Sequence, residues 1–146
     1  MRLALEEAAL AAAAGDVPVG AVIVQGGAVI ARAHNQKEAT RDPTAHAEVL
    51  AIRAAAQILG NWRLPNAALY VTLEPCPMCA GALVAARLAR LVYAAPDSLW
   101  GACGSIFHIP AHQNANHSME IVGGILEEEA SLLLKNWFVE KRAKPL

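Results

Sequence analysis

The chain has 146 residues, 55% of them hydrophobic and 17% charged, with a formal net charge of −1. That length suits one domain with a sizeable core, here taken as residues 1–146, and the composition excludes a disordered chain. The near-neutral charge argues against a protein that holds nucleic acid by bulk electrostatics, while leaving a local basic patch open.

Residues 2–14 form a helix that stops at Gly15-Asp16. "PVGAVIV" (18–24) is rich in β-branched residues and is a strand; "QGG" makes a turn, and "AVIARAHN" (28–35) returns as the second strand of a hairpin. "QKEATRD" is a loop. Asp42 or Thr44 then caps the next helix, with Pro43 in its first turn, and that helix runs to about Leu59, before Gly60-Asn61. "AALYVTL" (67–73) is a buried strand. "EPCPMCAGALVAARL" opens a further helix with Pro77 early, and "ARLVYAA" (89–95) is another strand. Residues 96–118 are irregular, with Gly, Pro, Asn and three histidines, and "MEIVGG" is a candidate fifth strand. Residues 125–142 form a final helix, acidic at its start and basic at its end, as the helix dipole favours. The order predicts a three-layer α/β sandwich.

No run is apolar enough for a membrane span: "ALEEAALAAAAG" and "VPVGAVIV" are short or interrupted. The segment "MRLALEEAAL" lacks a signal-peptide layout, and three cysteines, two of them in one C-x-x-C, give no disulfide framework. The expectation is a cytoplasmic protein.

Two short motifs carry the chemistry. His46-Ala47-Glu48 and Pro75-Cys76-Pro77-Met78-Cys79 each fall at the start of a predicted helix. Cys76 at a cap and Cys79 in the first turn both direct sulfur toward the helix N-terminus, whose dipole favours thiolates. Two thiolates and one imidazole suit zinc. Three protein ligands leave a position for water, which a closed structural site does not, and Cys103 stands alone with no second C-x-x-C or C-x-x-H to complete a fourth. Glu48 beside such a site can move protons. His46 and Glu48, two positions apart, diverge in mid-helix and converge only at a first turn.

A lone C-x-x-C is often a redox pair or half of a structural zinc site, and a lone His-x-Glu is common by chance. The joint pattern H-x-E…P-C-x-x-C is far more specific, being the known signature of zinc nucleobase deaminases. The chain resembles the cytidine deaminase superfamily and, within it, the bacterial tRNA adenosine deaminases that make inosine at the anticodon wobble position. The resemblance rests on "DVPVGAVIV", "RDPTAHAEVLAIR", "LYVTLEPCPMCAGALV", "RLARLVYAAPD" with "GACGS", and "NANHSMEIVGGILEEEASLLLKNWF". "DPTAHAE" with "TLEPCPMCAGA" narrows it to purine-type enzymes, and the tail favours the tRNA enzymes over guanine deaminases.

The resemblance implies a central mixed five-stranded sheet flanked by helices, and a homodimer whose groove binds the tRNA anticodon stem-loop. It implies one zinc ion per subunit on His46, Cys76 and Cys79, with Glu48 as proton shuttle. Water adds at C6 of adenine, Glu48 carries protons to a ring nitrogen and to the amine, and ammonia leaves. Asn35 is matched to the asparagine that binds the target base, although it also suits a hairpin end. Asp97 is matched to an aspartate near the ribose, and equally suits a helix cap. Asn116 and His117 are matched to a pair near the anticodon loop.

The segment "APDSLWGACGS" departs from the family, which often carries Arg or Lys there; Pro96, Ser98, Leu99 and Trp100 bring no positive charge. The basic candidates are Arg32, Lys37, Arg41, Arg63, Arg87 and Arg90, with Lys141, Arg142 and Lys144 near the C-terminus. Trp100 could stack on a base or pack into a core. A deaminase of a free purine such as guanine, and a non-catalytic zinc-binding subunit, are the competing expectations. An intact Glu48 speaks against the second of these.

Overall fold

A computed structural model describes residues 1–144. Its elements are α1 (Arg2–Ala13), β1 (Gly20–Gln25), β2 (Ala28–His34), α2 (Lys37–Thr40), α3 (Ala47–Leu59), β3 (Ala67–Leu73), α4 (Pro77–Ala85), β4 (Arg90–Ala95), β5 (Glu120–Val122) and α5 (Glu127–Ala143). The five strands form one sheet in the order β2-β1-β3-β4-β5. β1 is antiparallel to both β2 and β3, and β4 is parallel to β3 and β5. The sheet is therefore mixed, as expected.

Alternation along the strands decides which helices lie on which face. Ala21 and Ile23 of β1, Ala31 and Ala33 of β2, and Leu69 and Val71 of β3 join Ala47, Ala51 and Ala55 of α3 and Ala80 and Leu83 of α4 in one buried cluster. The opposite face takes α1 and α5, which pack against β3 and touch each other. Full burial of each large aliphatic residue contributes about 1.5–3 kcal/mol. Alanine dominates the helix faces because the layers are close. Gly20 marks the tightest approach: a Cβ there would sit 2.0 Å from the Ala4 carbonyl oxygen, so α1 rests directly on β1.

The β1–β2 hairpin closes through Gly26 and Gly27, with φ of 58° and 77°. Both angles suit a type I′ turn. One extra residue at Ile30 shifts the register between Ile23 and Val24. The polar face of β2 is not free: Arg32 donates to Glu6 and Glu7, and Glu7 also pairs with His34 at 2.8 Å.

Two expectations need correction. "QKEATRD" holds a short helix, α2, pinned by the fully buried Asp16 carboxylate, which accepts the N–H of Glu38 at 2.9 Å. The next helix does not begin at Pro43 or Thr44. Asp42 accepts both the N–H and the hydroxyl of Thr44, at 2.8 and 2.7 Å, and makes a turn. An Asp-Pro-Thr sequence favours that local turn over helix entry. The helix α3 starts four residues after Pro43, at Ala47, with His46 as its N-cap. Its end is as expected, with Gly60 left-handed at φ 63°. No helix among the described residues is long and apolar enough to cross a membrane.

Candidate metal centre and active site

Two helix N-termini converge on one point. His46 is the N-cap of α3 and Cys76 the N-cap of α4, with Pro77 next in the first turn. Neither cap uses its side chain to bond the helix, so both side chains face outward from the helix ends. Cys79, in the first turn of α4, completes the group. The His46 Nδ1 atom lies 3.6 Å from Cys76 Sγ and 3.4 Å from Cys79 Sγ. One ligand atom from each residue falls within 4.8 Å of the other two. Two helix dipoles add to the stabilisation of negative charge here.

The electrostatics are those of a cation site. The Cys79 thiol bonds to Cys76 and pulls the Cys76 thiol down to about 4, against the opposing effect of burial. The same contact and burial push Cys79 up. Its bond to Cys76 raises the His46 imidazole. A lowered Cys76 thiol beside a raised Cys79 thiol and a raised imidazole marks donors crowded around one point, which a divalent cation would hold together.

Glu48 stands in the first turn of α3, 4% exposed. Burial raises its carboxyl, and its Oε2 is the buried side-chain polar atom without a partner among the described residues. An unpaired buried carboxylate oxygen is costly. Its position is explained if a ligand or a proton occupies it. The set of one imidazole, two sulfurs and an orphaned carboxylate fits zinc with an open position.

A cavity of about 160 Å³ opens beside these residues, room for one planar base and not for a duplex. It is lined by His46, Glu48 and Cys76, and also by Asn35, Asp97, Lys37 and Trp100. Asn35 is 5% exposed, and its side-chain oxygen accepts the Ala47 N–H at 2.8 Å. Its amide nitrogen remains for a ligand. Asp97 caps no helix, since none follows it directly, and closes a turn instead: its Oδ1 accepts the N–H of Leu99 at 2.9 Å and of Trp100 at 3.2 Å.

The structure does not bring Asn116 and His117 to this cavity. Asn116 accepts from Arg87 at 2.8 Å, and His117 Nε2 meets the Leu88 carbonyl at 2.6 Å. Arg87 and Leu88 follow the C-terminal end of α4, nine residues, or roughly 13 Å of helix, from its metal-facing start. Among the candidate cations, Lys37 lines the cavity, whereas Arg32 and Arg90 are paired with carboxylates.

Glu74 has a role that the sequence pattern did not signal. It is 2% exposed, lines the cavity, and accepts the N–H of Asp97 at 3.2 Å and of Cys103 and Ser105 at 3.1 Å each, as well as the Ser105 hydroxyl. It fastens the loop that carries Asp97 and Trp100. The available signal was a carboxylate set directly between an apolar strand and "PCPMC". Gly101 completes the arrangement, since a Cβ there would lie 2.3 Å from Glu74 Oε2.

Comparison with known proteins agrees with this geometry. The MafB19-like deaminase family model matches residues 1–129. A Bacillus subtilis protein named tRNA-specific adenosine deaminase is 47% identical over 99% of this chain and 89% of its own length. A solved structure from work on A-to-I editing by tRNA:A34 deaminases superposes with a TM-score of 0.89, at 46% identity, over 92% of this chain and 97% of that one. A guanine deaminase from Bacillus subtilis is 34% identical, with a TM-score of 0.64, over 99% of this chain and 92% of that one.

Proposed function

The chain belongs to the MafB19-like deaminase family and, within it, to the tRNA-specific adenosine deaminases, and from that membership we propose that it hydrolyses adenosine to inosine at the wobble position of a tRNA anticodon. The observation that carries the chemistry is the meeting of His46, Cys76 and Cys79 beside a one-base cavity that His46, Cys76 and the unpartnered Glu48 carboxylate line.

On this reading the chain is one zinc-dependent deaminase domain with one ion per subunit on those three ligands. When bound, zinc supplies Lewis acidity that makes water nucleophilic near neutral pH. The protein's own groups do the rest. Glu48 accepts one proton of the attacking water and delivers it to N1 of the purine as the oxygen bonds to C6; it then takes the remaining proton of that oxygen and passes it to the amine, the bond from C6 to the amine breaks, and ammonia departs to leave the C6 carbonyl of inosine. Its burial favours the protonated form it must adopt in passing. The Asn35 amide nitrogen donates to the base, and α3 fixes the Asn35 side chain through its oxygen. The second Asp97 carboxylate oxygen is available to the ribose. Asn116 and His117 serve the stem-loop beyond the flipped base and not the base itself. The protein works as a homodimer in the cytoplasm, where its substrate is.

The competing reading is a guanine deaminase. The net charge of −1 favours it, and so does the structural likeness to a guanine deaminase. Incubation with an anticodon stem-loop and, separately, with free guanine decides between them. Inosine in the RNA is expected. Xanthine from guanine with unmodified RNA overturns the proposal.

A further inference from the structure

We propose that Trp100 is a base-stacking residue at the cavity mouth, which holds an unpaired RNA base adjacent to the target adenosine. This rests on the tRNA reading above and names a contact for it.

Four observations lead there. Trp100 lines the cavity yet is 55% exposed, so it is neither core nor remote from the reaction. Its ring is perpendicular to that of Phe107, itself partly exposed, at 5.2 Å between centroids, so the two rings brace each other along the same loop. Its backbone is fixed beforehand: its N–H donates to Asp97 Oδ1 at 3.2 Å, Gly101 N–H donates to the Asp97 carbonyl at 3.0 Å, and Glu74 fastens both ends of the loop. Little ordering cost falls on binding. Finally, residues 97–107 contain no Lys or Arg, and Lys37 is the cation lining the cavity.

An RNA loop must therefore be held here mostly without ionic contact. Stacking on an aromatic side chain is the remaining strong source, because every base has a π-face and loop bases are unstacked. The exposed indole offers that surface beside the position where the adenosine enters.

The test is steady-state inosine formation on an anticodon stem-loop by the wild type, Trp100→Ala, Trp100→Phe and Lys37→Ala at several salt concentrations, with sedimentation of each protein. Trp100→Ala should raise KM about tenfold or more with kcat within about twofold, and Trp100→Phe should recover most of the loss. The salt dependence of KM should be the same in Trp100→Ala as in the wild type and shallower in Lys37→Ala. An unchanged KM in Trp100→Ala, a fall in kcat alone, a changed sedimentation coefficient, or a salt dependence made shallower by Trp100→Ala overturns the stacking role. Each of these leaves wild-type inosine formation, and so the tRNA reading, standing. Absence of inosine with the wild type overturns the tRNA reading and this inference with it.

Discussion

The Asn35 side-chain oxygen accepts the backbone N–H of Ala47 at 2.8 Å, so one residue both closes the N-terminus of α3 and presents an amide to the cavity. The two duties separate by substitution. Asn35→Asp keeps an oxygen for Ala47 and loses the donor, so activity should fall sharply, and any loss in denaturation midpoint from the added buried carboxylate should shrink at acid pH, where it is protonated. Asn35→Ala should also lose about 1 kcal/mol of stability. Urea denaturation beside an inosine assay separates the two losses; equal activity in wild type and Asn35→Asp would exclude the amide as a substrate contact.

On the proposed mechanism Glu48 carries the proton work and holds no metal. Glu48→Gln should keep full zinc content by elemental analysis and lose about a hundred- to ten-thousand-fold in turnover. Its denaturation midpoint should not drop, because the change removes a buried carboxylate with an unpartnered oxygen. Substantial residual turnover would assign the proton transfer elsewhere.

Removal of a ligand acts on both metal and fold. His46→Ala and Cys79→Ala should emerge with little zinc and a lowered melting temperature, since binding free energy at such a site is also folding free energy. A strong chelator should lower the wild-type melting temperature in the same way, with recovery on zinc addition. A melting temperature indifferent to chelator would count against the site.

Glu74 should be structural in effect and catalytic in consequence. Glu74→Ala leaves the buried N–H of Cys103 and its neighbours without their acceptor. The expected loss is on the order of 3 kcal/mol. Hydrogen exchange should show the 97–105 loop opening before the sheet does; unchanged protection there would refute the anchoring role.

Asp42 gives a pH signature. The hydroxyl and the N–H of Thr44 hold its carboxyl below the usual value. Its contribution is fully present above the unfolded carboxylate value and is lost as pH falls through the depressed folded one. The difference in midpoint between wild type and Asp42→Ala should therefore close on acidification. A gap that persists at low pH would mean the turn holds without the charge.

Much of this was legible from residue types. Strand β3 falls at 67–73 as expected, because a continuous apolar run between turns has few other uses. The ligand triad was legible because three soft donors at two helix starts have little structural use. The start of α3 was not, since a cap signal at Asp42 looks the same whether a turn or a helix follows it. Asp97 offered a ribose contact or a helix cap, and its carboxylate closes a turn with no helix directly after it. The positions of Asn116 and His117 and the reach of Glu74 depend on contacts about thirty residues apart, which local pattern does not encode.

His46 and Cys76 are also thirty positions apart in the chain and 3.6 Å apart in space. Any ion that grips both ties off the whole α3–β3 segment as a closed ring. In the chain-entropy picture a tie of that span removes roughly 3–4 kcal/mol of freedom from the unfolded state. The centre is thus a clasp as well as a reactor. The segment it encloses includes β3, the strand in the middle of the sheet order, so the clasp acts on the middle of the fold and not on its rim.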